Sequence, residues 1–235
     1  MILVDYRPRS LTEALLVPAQ HIPGRLGRSM RKKLLRRYGP RAVADFQARL
    51  KTLGPGDICL DLGANVGDVT EQLAATGATV HAFEPEQHVF AILQKRFAGR
   101  ENVILHQAAV STANGTIAMR RDSRFHQDPL RHSQVSSIYF TNPEKYDSTE
   151  YPVQVEAFAD VVNRFGKPVA IVKMDIEGAE FDILEQVFAN PSAFAFDQLF
   201  VETHERTAPE KVAMINRMRK QAARLSDRYI NLFWP

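Results

Sequence analysis

From residue 57 onward, short apolar runs rich in β-branched residues alternate with stretches of helical period, and this alternation limits the fold more than any other feature. Residues 57–62 (DICLDL), 78–83 (ATVHAF), 102–106 (NVILH), 169–175 (VAIVKMD), 198–203 (QLFVET) and 229–233 (YINLF) read as strands. Residues 68–76, 86–97, 179–188 and 209–223 read as helices, with Val89, Phe90, Leu93 and Phe97 one helical turn apart in the second. Residues 116–120 read as a short additional strand. Strands separated by helices predict βαβ units, hence a Rossmann-like α/β fold with a mostly parallel sheet, helices on both faces and right-handed crossovers. Residues 121–150 are polar, contain Pro129 and Pro143, and hold no period. They read as a long excursion, either a lid or a plain surface insertion.

A length of 235 residues predicts one catalytic domain, residues 51–235, behind a helical extension, residues 1–50. The extension carries a basic arm. Residues 25–41 hold eight cations and no acid, which leaves 22 basic against 27 acidic residues elsewhere, a net charge of −5. The arm reads as a short helix with Leu26, Met30, Leu34 and Tyr38 in one stripe. It is either a solvated helix capping the sheet or a contact for an anionic membrane surface, RNA phosphates or an anionic acceptor. Its lack of interleaved aromatics argues against single-stranded RNA. Asp5 and Glu13 interrupt the apolar N-terminus, so it makes a poor signal peptide, and no apolar run is long enough to span a bilayer. Cys59 is the single cysteine, which excludes an intrachain disulfide and a cysteine-cluster zinc site and suits a reducing, cytoplasmic setting.

The first strand ends in Asp61-Leu62-Gly63-Ala64-Asn65-Val66-Gly67-Asp68 and leads into a helix. Two glycines here allow a sharp turn and a close backbone approach by a ligand at the carboxyl end of the sheet; the alternative is a tight turn with no ligand. The dinucleotide spacing fails, because Asn65 and Asp68 stand where its second and third glycines belong, and an acid at a helix start repels phosphate. The P-loop lysine and hydroxyl are absent too. The turn therefore suits a nucleoside without phosphates. Glu84, ending the second strand, stands where a carboxylate can accept from both ribose hydroxyls; alone it would also pass for a solvated strand-end acid.

A second constellation lies in Lys173-Met174-Asp175-Ile176-Glu177-Gly178-Ala179-Glu180, three acids and a lysine around a strand end. Glu180 also suits a helix N-terminus on dipole grounds alone. Glu202 and His204 end the next strand and are expected beside Asp175. The group reads as a base cluster with His204 taking the proton, as a divalent-metal site with oxygen and imidazole ligands, or as an ordinary strand-end pair. His126 and His132 lie in the excursion, within conceivable reach of a substrate.

DLGANVGDVT, FEPE, KMDIEGAE and VETHE, in that order on successive strands, resemble the FkbM family of S-adenosylmethionine-dependent methyltransferases. The resemblance spans residues 57–205. It implies a class I sheet of seven strands with one antiparallel strand near the edge, and S-adenosyl-L-methionine as cofactor. It places Asp61, Gly63, Ala64, Asn65 and Gly67 along the methionine part of the cofactor, with Asp61 near the ammonium group and Thr70 facing the same site. Glu84, with Pro85 beside it, would hold the ribose, and Gln107 and Ala108 would flank the adenine. Methyl transfer to a hydroxyl needs a base beside the acceptor, which makes Asp175 the first candidate for the base or for orienting the acceptor and Glu177 the second, with His204 the third catalytic candidate; Asp175 also counts among the cofactor-binding residues. The implied reaction is O-methylation of a sugar, glycan or secondary metabolite. The alternatives are an RNA or protein methyltransferase using the basic arm, and a non-catalytic nucleoside-binding protein. An NPPY-type motif of base methyltransferases is absent: KMDIEG stands in its place. One run, YINLFWP, follows the last helix where that fold ends in a hairpin of two strands, so the sheet edge is the point of departure from the family pattern.

Overall fold

Strands that are covered on both faces must be apolar almost throughout, and the central strands of this protein are. The computed structural model describes residues 7–20, 22, 24–122, 146–205 and 208–235, with backbone alone at 120–122 and 146–149. In chain order, α1 (Leu11–Ala19) and α2 (Gly24–Leu50) precede β1 (Ile58–Leu62), α3 (Asp68–Ala74), β2 (Thr79–Phe83), α4 (Gln87–Arg96) and β3 (Val103–His106). Then come β4 (Ala109–Ser111), β5 (Gly115–Asp122), β6 (Tyr146–Ala157), α5 (Phe158–Asn163), β7 (Ile171–Met174), α6 (Glu180–Ala189), β8 (Gln198–Val201), α7 (Val212–Ala222) and β9 (Tyr229–Asn231). All four residues of β7 are buried, Lys173 included.

The main sheet has the order β3-β2-β1-β7-β8-β9, and every pairing in it is parallel. The chain winds outward from β1 to β3, returns to the middle at β7, and winds the other way to β9. The carboxyl ends of β1 and β7 therefore flank the switch point where such sheets bind ligands. Leu60, Leu62, Phe83, Val172, Met174, Leu199 and Val201 join the α5, α6 and α7 side chains in one core on one face. On the other face Phe46 of α2 is fully buried among Cys59, Val80, Ile171 and Phe200.

Three features differ from the expectation. The seven-stranded sheet with an antiparallel edge is a six-stranded, all-parallel sheet among the described residues. β9 returns through the α7 crossover and so pairs with β8 in parallel, Leu199 opposite Ile230. The residues after it turn inward: Phe233 stacks on Tyr38 with ring centroids 4.5 Å apart, and Trp234 lies edge-on to Phe46 at 4.7 Å. Second, the expected strand at 116–120 belongs to a separate sheet of order β4-β6-β5, in which β5 and β6 are antiparallel. β6 takes up the end of the expected excursion; residues 123–145, with His126 and His132, lie outside the described residues. Third, the expected short helix is 27 residues long and runs through Pro40. In its stripe Leu34 and Tyr38 are buried, whereas Leu26 is 55% exposed. No helix among the described residues is long and apolar enough to cross a membrane.

Candidate active site at the carboxyl ends of β1, β2, β7 and β8

Asp61, the last residue but one of β1, has no exposed surface. Its Oδ2 accepts from Thr70 Oγ1 at 2.6 Å, and its Oδ1, which accepts no hydrogen bond, faces Lys173 Nζ at 3.4 Å. Thr70 is fully buried like Asp61, and this hydrogen bond ties it to the site residue it was expected to accompany. Lys173 also donates to the Gly63 carbonyl at 2.8 Å and stands 3.8 Å from Asp175 Oδ2. Burial works against its charge, but Asp61 and Asp175 more than offset that, and the ammonium is held above its ordinary pKa.

The reason for the glycines is crowding within the protein. Gly63 has φ +75°, and a Cβ there would lie 1.8 Å from the Asp175 carbonyl oxygen; at Gly67, with φ +92°, it would meet Phe97 at 2.5 Å. Four backbone N–H groups of the turn are likewise engaged internally. Those of Gly63 and Ala64 donate to the Phe83 carbonyl, that of Gly67 to the Ala64 carbonyl, and that of Asn65 to Glu84 Oε2 at 3.0 Å. These four N–H groups are therefore committed within the protein. The turn instead offers acceptors: Asn65 Oδ1 and Asp61 Oδ1 are buried and accept no hydrogen bond.

Glu84 is 8% exposed and also accepts from the Glu86 N–H at 2.9 Å. Burial raises its pKa from 4.5 to about 7, against the pull of those two N–H donors. Pro85 beside it is half-buried. Gln107, past β3, is exposed, whereas the Ala108 side chain belongs to the core, leaving only its backbone for an adenine contact. A donor-rich ligand fits these residues: an ammonium group and ribose hydroxyls meet carboxylate and amide oxygens, and a phosphate finds no N–H among those named.

The second constellation converges as the sequence suggests. His204, 1% exposed, has Nδ1 2.8 Å from Glu180 Oε1, and its backbone N–H donates to the same oxygen at 3.0 Å. Glu180 Oε2 accepts from the Gly178 N–H at 2.7 Å. Glu180 thus anchors the histidine rather than merely starting α6. His204 Nε2 looks toward Glu177 at 3.5 Å, Asp175 at 3.8 Å and Glu202 at 3.9 Å. One ligand atom each from Asp175, Glu177 and His204 lie within 4.8 Å of one another, a spacing that suits a metal ion. Burial opposes charge on His204, but the Glu180 hydrogen bond and the surrounding carboxylates raise its pKa to about 9. Burial lifts Glu177 to about 7, with His204 pulling the other way. Glu177 also sits at φ +52°, which with Asn65 at +49° makes the two non-glycine positive-φ residues described, both at this site.

A parallel sheet reversing between β1 and β7, with an acid ending β2 and a donor-seeking turn after β1, is the arrangement of class I methyltransferases. The chain belongs to the FkbM methyltransferase family: residues 61–229 match the model of the methyltransferase FkbM domain. The methyl donor of such enzymes is S-adenosyl-L-methionine. The 31-O-demethyl-FK506 methyltransferase FkbM of Streptomyces tacrolimicus is 30% identical over 162 residues, 57% of this chain and 61% of that protein. The ribosomal RNA small subunit methyltransferase A of Moorella thermoacetica is 41% identical over 58 residues, 25% of this chain. This chain spans only 20% of the length of that relative. An rRNA methylase structure from Streptococcus thermophilus aligns over 71% of this chain and 74% of that one, with 11% identity and a TM-score of 0.38.

Proposed function

We propose that this protein is a cytoplasmic S-adenosylmethionine-dependent O-methyltransferase, built as a catalytic unit at 51–235 with an added helical segment at 1–50. Its acceptor is a hydroxyl of a sugar, glycan or secondary metabolite. One observation carries the reading: four carboxylates, of Asp175, Glu177, Glu180 and Glu202, surround the His204 imidazole beside the Asp61–Lys173 pair, with the Asp175 and Glu177 side chains 30% and 32% exposed. A hydroxyl must lose its proton as it attacks, and this group supplies the acceptor. A concentration of carboxylates also repels a phosphate-rich polymer at the reacting atoms, which disfavours RNA. The name of the Streptomyces relative, an O-methyltransferase, points the same way.

S-adenosylmethionine, when bound, supplies a methyl group on a positively charged sulfur. Glu84 accepts from the ribose hydroxyls, and Asp61, held by Thr70 and Lys173, faces the amino acid end. Asp175 orients the acceptor hydroxyl and Glu177, whose pKa lies near the working pH, takes its proton. His204, already a cation at neutral pH, stays protonated and offsets the carboxylates. A second reading follows from the spacing of Asp175, Glu177 and His204: a divalent cation in place of the histidine proton. A chelator abolishes activity under that reading and leaves it unchanged under the first.

The test uses methyl-labelled cofactor with cell extract, followed by fractionation into glycan, lipid, RNA and protein. Label in an alkali-stable ether of a small molecule or glycan is expected; label in RNA or protein overturns the proposed acceptor. Asp175→Asn should keep cofactor affinity within about twofold and lose on the order of 100-fold in kcat. Full activity in that variant removes Asp175 from the site.

A further inference from the structure

Helix α1 is apolar on two sides, and only one of them is used. Leu16 is buried against Leu34, Tyr38 and Phe233. Glu13 is clamped by Arg41 at 2.6 Å, and the Gln20 carbonyl accepts from Arg31 Nη1 at 2.7 Å. These contacts dock one face of α1 on α2, so the opposite face points to solvent. That opposite face holds Leu11, Ala14, Leu15 and Pro18, at i, i+3, i+4 and i+7, and all four are exposed. Leu11 is 86% and Leu15 71% exposed; Ile22 and Leu26 extend the run at 40% and 55%. Among the described residues, the only other large exposed aliphatic is Ile104. So the uncovered apolar surface is concentrated in one short N-terminal stretch, the pattern expected of an interaction site.

The neighbouring face of α2 is cationic. Leu26, Lys33 and Arg37 stand at i, i+7 and i+11, on one side of the helix, and all are exposed. Arg37 adds to the charge that Arg41 exerts on Glu13, so this side borders α1. Arg25, Arg28, Lys32 and Arg36 are exposed as well. No acidic residue occurs between Glu13 and Asp45 in the sequence.

We propose that the α1–α2 pair is a peripheral membrane-docking element. It lays the Leu11–Leu15–Leu26 surface into an anionic lipid interface, with the cations of α2 on the headgroups. Aliphatic side chains beside cations match the two components of such a surface, an apolar boundary under negative charge. RNA would use the cations but has nothing to pair with an aliphatic stripe, and no aromatic side chain lies in this set to stack on bases. A second copy of the chain would cover the stripe, but a two-fold contact would set the same cations against one another. The inference does not depend on the acceptor hydroxyl proposed above.

The test is co-sedimentation of the full-length protein with phosphatidylcholine vesicles and with mixed phosphatidylcholine–phosphatidylglycerol vesicles, at low and high salt. The protein should pellet with the mixed vesicles, remain in solution with the neutral ones, and be released by salt. Leu11→Asp with Leu15→Asp, both at solvent-facing positions, should abolish pelleting while the melting temperature and S-adenosylmethionine affinity stay at wild-type values. Lys33→Gln with Arg37→Gln should weaken partitioning by about 30-fold, two headgroup contacts being lost. Failure to pellet with the mixed vesicles at low salt overturns the proposal. So does pelleting that survives the two aspartates, which would reduce the surface to a non-specific polycation. A dimer by size exclusion that the aspartates dissociate would assign the stripe to a second copy and overturn it equally.

Discussion

The buried carboxyl of Glu84 links the cofactor site to proton binding, and its consequences can be worked out in advance. It is 8% exposed and its pKa lies near 7 instead of 4.5, because burial outweighs the two backbone N–H groups that it accepts from. In the unfolded chain the group loses its proton near 4.5; in the folded chain it keeps it until about 7. Between these values the folded state binds more protons, so stability falls as pH rises. The contribution is complete below the unfolded pKa and is lost as pH rises through the folded one. A difference of this size corresponds to about 3 kcal/mol. Glu84→Gln cannot titrate, so the variant should gain about 3 kcal/mol on the wild type between pH 4.5 and pH 8, read by urea unfolding across that range. Ribose hydroxyls prefer the ionised carboxylate. At pH 6 about nine-tenths of Glu84 is protonated, so cofactor binding should expel close to one proton that the variant does not release. Calorimetry in buffers of different ionisation heat measures that difference. Equal proton release in the two proteins, or a pH-independent stability difference, would refute both the buried charge and the ribose contact.

Two further substitutions probe the rest of the site. Lys173→Met strands the fully buried Asp61 without its cation and should cost about 3–5 kcal/mol, a fall in melting temperature of roughly 10 °C; adding Asp61→Asn should restore most of it. A single variant that melts with the wild type would show that the pair is not coupled. Glu177→Gly removes a side chain from φ +52° and should raise stability by about 1 kcal/mol while turnover falls on the order of 100-fold; thermal unfolding and a labelled-methyl assay read the two effects separately.

The strands of the main sheet could be read directly because burial on both faces leaves an apolar run with no competing pattern, as in ICLDL and VAIVKMD. β6 could not: YDSTEYPVQVEA mixes charges, hydroxyls and Pro152, and its pairing with β5 is a long-range contact that local pattern does not encode. The length of α2 was hidden for a related reason. Half the residues of its first half are cations and its second half contains Pro40, yet Phe46 is held by Phe200 and Trp234 from the far end of the chain. Tertiary contact overrides the local signal there.

The site divides along the same line. Asp61, Glu84, Asp175 and His204 were legible because the carboxyl ends of parallel strands face one cleft, so position in the motif is already position in space. What Lys173 and Glu180 do was not legible, because each acts on a residue from another strand or turn. Lys173 reaches Asp61, Asp175 and the Gly63 carbonyl, and Glu180 reaches both nitrogens it fixes on His204. A signal for the first was nevertheless present: a lysine in a strand of otherwise apolar residues has to find a buried anion or not be buried at all. With Asp61 near the end of the neighbouring strand and in register with it, the partner was one strand away, Asp61 opposite Lys173 in the β1–β7 ladder. The same ladder sets Leu62 against Met174, so the Asp61–Lys173 pair lies one step inside the mouth of the cleft. A change at either member therefore disturbs the Gly63 turn and Asp175 together, which is why loss of Lys173 should be felt in both cofactor affinity and turnover.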